Sequence, residues 1–128
     1  MKLEKQVCSL ELAKKLKELG VKQDSHFYFK IGKASGAINL VPIEETTGDF
    51  AHFEFFSAYT VAELGEKLLY GERLLIPVVV VGRWSVPTNT APLIVGDVNL
   101  LTEADARALV LVYFLENNLI KINANTSV

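Results

Sequence analysis

The sequence predicts an α+β domain: a mostly antiparallel sheet of four to five strands, with a long C-terminal helix packed on it and two shorter helices. Three observations support this fold class. Short runs of aromatic and β-branched residues are separated by turn residues at hairpin spacing. Residues 10–19 and 60–69 have apolar side chains at helical spacing. Residues 102–120 share that spacing and are apolar on almost every side, which is typical of a helix covered on two faces.

The composition indicates a single folded domain. The chain has 128 residues, of which 50% are hydrophobic and 22% are charged, so it can bury a core of its own. We expect this domain to cover residues 1–122 and the polar residues 123–128 to form a tail. The longest apolar run covers residues 74–81, whereas a membrane-spanning helix needs about 20 apolar residues. We therefore expect a cytoplasmic protein without membrane contact.

Charge is distributed unevenly along the chain. Residues 1–33 contain eight lysines and four acidic residues, a net charge of +4, whereas residues 34–128 contain five basic and eleven acidic residues, a net charge of −6. Such a difference occurs in proteins with a nucleic-acid-binding end. It also occurs where one end packs against the other, within a chain or between subunits. Because the N-terminal lysines alternate with acids on one helix face, we interpret them mainly as a solvated surface.

The first two helices carry clear end signals. Ser9 is a favourable N-cap for the first helix, and Gly20 is placed to end it in a Schellman motif that Val21 closes. Thr60 and Glu63 have the spacing of a capping box at the start of the second helix. The first helix has one apolar stripe and one lysine-rich face, so we expect it to lie on the surface of the domain.

The predicted strands are recognised by alternation and by β-branched or aromatic residues, and they cover residues 25–31, 37–41, 50–57, 74–81 and 93–95. The first two form a hairpin whose turn contains Lys33. This turn lacks the residue order of a phosphate-binding loop, so we interpret it as a plain turn. Pro77 cannot donate a backbone hydrogen bond, so we expect the fourth strand to begin after it or to lie on an edge there.

The last helix begins at Thr102, with Asp105 in the return position of a capping box. A two-layer domain covers only one side of such an apolar helix, and an exposed second side would be an unusually large apolar patch. We therefore expect a homodimer, centred on the back of this helix or on the exposed sheet face, with candidate interface residues Ala106, Val110, Tyr113 and Phe114. The alternative is that the first two helices cover this side within the same chain.

Aromatic residues are more numerous than one sheet face requires. Rings on both faces of a strand line ligand pockets, stack on bases or form interfaces. His52 and Glu54 project from the same face of their predicted strand, with Asp49 nearby. No second pair has metal-ligand spacing, so we expect no metal site and no cofactor. The candidate ligand-binding residues are His52, Glu54, Tyr28 and Trp84.

Three blocks of the sequence carry a resemblance to known proteins. They are LEKQVCSLELAKKLKELGVKQ at residues 3–23, AYTVAELGE at residues 58–66, and TEADARA with LENNLI at residues 102–108 and 115–120. Together they cover about a third of the chain, which resembles a group of short proteins of unknown function encoded in bacterial prophages and mobile elements. The resemblance implies a cytoplasmic bacterial or phage protein, and it implies no catalytic residues.

These observations favour a small interaction protein without catalytic activity, acting through protein–protein contacts with itself and with a host or phage protein. No set of nucleophile, base and acid is present at a recognisable spacing. One alternative is a small-molecule-binding protein or enzyme with an aromatic pocket around His52 and Glu54. A second alternative is nucleic-acid binding through the lysine-rich first helix, which we rank low because few basic residues lie near the aromatic ones.

Overall fold

The computed structural model of the chain describes residues 2–46, 50–70, 73–74, 78–80, 82–86 and 93–117. The helices are α1 (Leu3–Gln6), α2 (Leu10–Glu18), α3 (Val61–Lys67) and α4 (Glu103–Glu116), with a 3-10 helix at Ile43–Thr46. The strands are β1 (Phe27–Gly32), β2 (Ile38–Pro42), β3 (Phe53–Ser57), β4 (Leu69–Tyr70), β5 (Arg73–Leu74), β6 (Val78–Val80), β7 (Arg83–Val86) and β8 (Leu93–Asp97). Asp49, Pro77, residues 118–120 of the predicted last helix and the predicted tail at 123–128 lie outside the described residues.

The described strands form three separate antiparallel sheets. Sheet I has the order β2–β1–β3, β4 pairs with β5, and sheet II has the order β6–β7–β8. The α+β class is confirmed, but the prediction of a single sheet of four to five strands is wrong. The physical reason lies at β3, where backbone and side-chain groups of residues 8, 17 and 23 occupy the outer edge. These groups take the hydrogen-bonding positions that a further strand would need.

The ends of the helices form largely as the sequence predicts. Gly20 has a positive φ of 91°, and the Val21 N–H donates to the Leu16 carbonyl, which completes the predicted Schellman motif. Both hydrogen bonds of the capping box at Thr60 are present. At Thr102 the side chain accepts from the Asp105 N–H, but the Asp105 carboxylate does not return this bond.

Asp105 instead connects two helices. Its Oδ1 accepts a hydrogen bond from the Ser9 N–H at 2.7 Å, where α2 begins. Ser9 is itself the N-cap of α2, and its side chain accepts from the Leu12 N–H. The predicted role of Asp105 in a local capping box is therefore wrong, because the carboxylate stabilises the start of a helix 96 residues away.

The core lies between the helices and the sheets. α4 packs against α2, α3 and β8, while α2 also packs against β3. The buried residues of α4 lie on almost every side of the helix: Ala104, Ala106, Ala108, Val110, Leu111, Val112 and Phe114. The first two predicted helices correspond to α2 and α3. The alternative in which these two helices cover α4 within the same chain therefore describes this structure. No helix in the described part of the chain is long and apolar enough to cross a bilayer.

Candidate interaction surface

Sheet I has one face covered by a helix. Strand alternation places Phe29, Ile31 and Phe56 on the side that meets α2, and all three belong to or pack against the buried core. The ammonium groups of Lys17 and Lys14 lie over the Phe56 ring, 4.7 Å and 5.7 Å from its centroid. The lysine stems of α2 therefore cover this edge of the core while their charges stay in water.

The opposite face of sheet I carries aromatic rings and a lysine. Phe53 and Phe55 are half-buried there, and the Lys30 ammonium lies 4.3 Å from the Phe53 ring centroid. Phe50 is 66% exposed and packs edge-to-face on Phe55, with centroids 5.6 Å apart. We call Lys30, Phe50, Phe53 and Phe55 the aromatic face. β3 begins only at Phe53, so strand alternation does not set the side of the sheet on which Phe50 lies.

The outer edge of β3 is closed by hydrogen bonds. Backbone bonds between residues 27 and 58 and between residues 33 and 52 set the register, so Phe55 and Ser57 direct their N–H and C=O groups away from β1. Lys17 Nζ donates to the Phe55 carbonyl at 3.0 Å. The Ser57 N–H donates to Gln23 Oε1 at 2.8 Å. Just beyond β3, the Cys8 N–H donates to the Tyr59 carbonyl at 3.0 Å.

The outer edge of β2 is open. The Gly32 N–H donates to the Ala37 carbonyl, and the register of β1 with β2 then directs the N–H and C=O groups of Ile38 and Leu40 away from the sheet. In the described part of the chain, no group bonds to this outward side of β2. Ile38 is 55% exposed, and it is followed by the exposed Asn39. Among the residues that the structure describes, sheet I therefore ends in a short uncharged strand whose outward backbone groups are unpaired.

The four candidate ligand-binding residues do not form one site. Strand alternation places Tyr28 on the same face of sheet I as Ser57. It places Glu54 on the opposite face. Tyr28 is buried, and its hydroxyl donates to the Gln23 carbonyl. His52 and Glu54 are exposed near one end of β3. Trp84 lies in sheet II, where its indole N–H donates to the Leu101 carbonyl at 3.3 Å. Within the described residues, these four side chains are therefore divided between two faces and two sheets.

The candidate interface on the last helix is mostly inside the domain. Ala106 and Val110 are 0% exposed and Phe114 is 6% exposed. Only Tyr113 faces solvent, at 42% exposure, with its ring edge-on to that of Phe114. Three of the four candidate interface side chains are therefore buried within their own chain.

The lysines of α2, which is the first predicted helix, have partners within the chain. Lys14 and Lys17 lie over Phe56, and Lys17 also bonds to the Phe55 carbonyl. Lys15 forms an ion pair with Glu116 at 3.4 Å. These contacts hold the charges close to the surface of their own domain and lower the number available for phosphate groups.

Gln23 is the central residue that sequence reasoning missed. Its side chain accepts from the Ser57 N–H and donates to the Tyr59 hydroxyl, while its carbonyl accepts from the Tyr28 hydroxyl. Burial raises the pKa of Tyr59, whose hydroxyl donates to the Lys22 carbonyl. A glutamine in a loop after a helix has no distinctive local signal, because its partners lie 34 and 36 residues away in sequence.

Cys8 is a buried thiol beside this network. It is 0% exposed, and burial raises its pKa to about 12. The thiolate is the nucleophilic form of cysteine, so at neutral pH this residue is a packed neutral side chain. Within the described residues, no group of three His, Cys, Asp or Glu side chains is arranged to hold a metal ion.

Comparisons of the chain with protein-family models, with curated proteins and with solved structures give no match.

Proposed function

We propose that this chain is a non-catalytic interaction protein that acts through protein–protein contacts as a homodimer, with sheet I as its contact surface. The observation that carries this proposal is the difference between the two sides of the molecule. α4 is surrounded by its own chain, whereas sheet I has an open strand edge and an aromatic face whose outermost ring, Phe50, is 66% exposed. Aromatic anchors beside a polar rim are typical of protein interfaces.

The positions of the other candidate residues support contact with a protein over a small-molecule reaction. Tyr28, Glu54 and Trp84 are divided between two faces and two sheets. Cys8 is held as a neutral thiol by burial, which removes its nucleophilic form at neutral pH. Contact with a protein is also favoured over nucleic-acid binding through α2, because Lys14, Lys15 and Lys17 already contact their own domain.

The biological setting is part of the same proposal. The three resembling blocks support a cytoplasmic protein of a bacterial prophage or mobile element, which binds a host or phage protein in addition to its own copy. In this setting the homodimer presents two aromatic faces to the partner, and bivalent binding raises the apparent affinity without new contacts.

Light scattering coupled to size-exclusion chromatography tests the homodimer. At micromolar concentration we expect a mass of twice 14.2 kDa, which decreases as the protein is diluted. A control variant is Tyr113→Glu, which places a charge on the exposed part of α4 without burying it. We expect this variant to remain dimeric. A wild-type mass of one chain at every concentration contradicts the proposal. If the Tyr113→Glu variant is folded but monomeric, the interface includes α4 instead of sheet I.

A further inference from the structure

The open edge of β2 carries few of the features that usually keep strand edges apart. Edge strands in soluble proteins are commonly guarded by short length, prolines, lysines, inward charges, bulges or a covering segment. The segment Ile38–Pro42 contains no charged residue. Pro42, at the end of the strand, is its one residue without a backbone N–H to donate. Ile38 and the following Ile43 are exposed, at 55% and 43%. A free edge of this composition is suited to pairing with another strand.

We propose that two copies of this chain join through β2, each pairing antiparallel with its own symmetry mate, so that the two three-stranded sheets become one sheet of six strands. This inference rests on the proposed homodimer and names the contact that builds it. The two-fold axis passes beside Asn39 and perpendicular to the sheet. Ile38 then pairs with the partner's Leu40, and Leu40 pairs with the partner's Ile38.

The hydrogen-bond directions select this register. Ile38 and Leu40 are the residues of β2 that direct both an N–H and a C=O away from β1. With Asn39 at the axis, each of these groups meets a complementary group of the other copy. Moving the axis to Leu40 places Ile38 opposite the partner's Pro42, which has no N–H, and leaves the Ile38 carbonyl unpaired. Of these two registers, the one with the axis at Asn39 pairs all outward groups of Ile38 and Leu40.

The helices leave room for this contact. α2 lies over β3, which is the strand of sheet I farthest from the axis. A two-fold axis perpendicular to the sheet keeps both copies of α2 on one side and both aromatic faces on the other. Ile38 comes under the cover of the partner's Leu40 on the α2 side. The dimer thus buries the exposed isoleucine and leaves two aromatic faces on one continuous surface.

A designed disulfide tests the register directly. Asn39 and the partner's Asn39 form a non-hydrogen-bonded antiparallel pair, whose Cα atoms are about 4.5 Å apart, within the range that a disulfide spans. We expect Asn39→Cys to form a covalent dimer on mild oxidation, seen on a non-reducing gel. The native Cys8 is 0% exposed and does not compete. Asn99→Cys, in an exposed turn beyond β8, is the matched control and should remain monomeric on the gel.

Two exposed isoleucines provide a matched pair for the affinity. Ile38 is 55% exposed on β2 and Ile94 is 53% exposed on β8. Ile38→Lys places a charge at the centre of the proposed contact, and we expect the dimer dissociation constant to rise by about tenfold or more. Ile94→Lys should leave it unchanged. Circular dichroism of both variants verifies that the fold is retained.

Together these variants separate the homodimer from the contact that builds it. A wild type that stays monomeric contradicts both the homodimer and this inference. A dimer that ignores Ile38→Lys and forms no Asn39→Cys disulfide contradicts the β2 contact alone. If Phe50→Ser then separates that dimer, the aromatic face is the interface instead.

Discussion

The two edge strands of sheet I end in different ways. Along β3, the Phe55 carbonyl has a partner in Lys17 and the Ser57 N–H has one in Gln23, and just beyond the strand the Tyr59 carbonyl has one in Cys8. Along β2, the outward groups of Ile38 and Leu40 have none within the described residues. The difference shows that side chains and a short backbone segment can close a strand edge without adding a strand. It also shows which edge remains for another chain to use.

The largest loss of stability is expected from a substitution in the core that holds α2 in place. Leu16 is 0% exposed and holds α2, which carries Lys17, against the core. We expect Leu16→Ala to lower the free energy of unfolding by about 2–5 kcal/mol, because it removes buried methyl groups and leaves a cavity. Ile38→Ala, on the open edge, should change it by less than about 0.5 kcal/mol in the dilute monomer. Urea denaturation measures both, and similar losses would contradict the comparison.

The next effect concerns the amide that closes β3 in its middle. Gln23→Ala leaves the Ser57 N–H and the Tyr59 hydroxyl each without one partner. Because Ser57 and Tyr59 are buried, we expect a loss of about 1–3 kcal/mol. Asn39→Ala removes an amide from the open edge and is the matched control, with an effect near zero on the monomer. Equal values for the two amides would show that Gln23 does not close the edge.

Cys8 should make stability depend on alkaline pH. Its folded-state pKa of about 12 lies above the reference value of 9.0, so the folded chain keeps a proton that the unfolded chain releases. The stabilisation is fully present below pH 9 and is lost as the pH rises toward 12, by about 1.4 kcal/mol per pH unit. Denaturation curves at pH 8, 9 and 10 measure this slope. Cys8→Ala should reduce it, and an unchanged slope would assign the loss to other groups.

The smallest effect is expected at the exposed end of the closed edge. Lys17→Met keeps the apolar stem over Phe56 and removes the hydrogen bond to the Phe55 carbonyl. We expect a loss of about 0.5 kcal/mol, because the bond is exposed to water. Lys14→Met removes a cation near the same ring and should cost less, since no backbone bond is lost. A larger loss of stability for Lys14→Met than for Lys17→Met would show that the cation near the Phe56 ring stabilises this edge more than the hydrogen bond to Phe55 does.

Local features of the chain were predictable because their causes lie within a few residues. The Schellman motif at Gly20 and the capping box at Thr60 follow from side chains and glycine at fixed offsets. The hairpin of β1 and β2 follows from alternation and a short turn. The all-round burial of α4 was also indicated by its apolar pattern, but the pattern does not distinguish its own chain from a second subunit as the cover.

The sequence by itself determined the α+β class, the ends of α2 and α3 and the positions of α2, α3, α4 and the β1–β2 hairpin, because hydrogen bonds and side-chain spacing set these over short distances. Only the tertiary structure decided how the strands are grouped, which faces are covered and which edge is open. The physical reason is that the deciding contacts join distant residues: Asp105 bonds to Ser9 and Gln23 to Ser57, across 96 and 34 positions of the chain. Their partners are set by packing of whole elements, which no local pattern encodes.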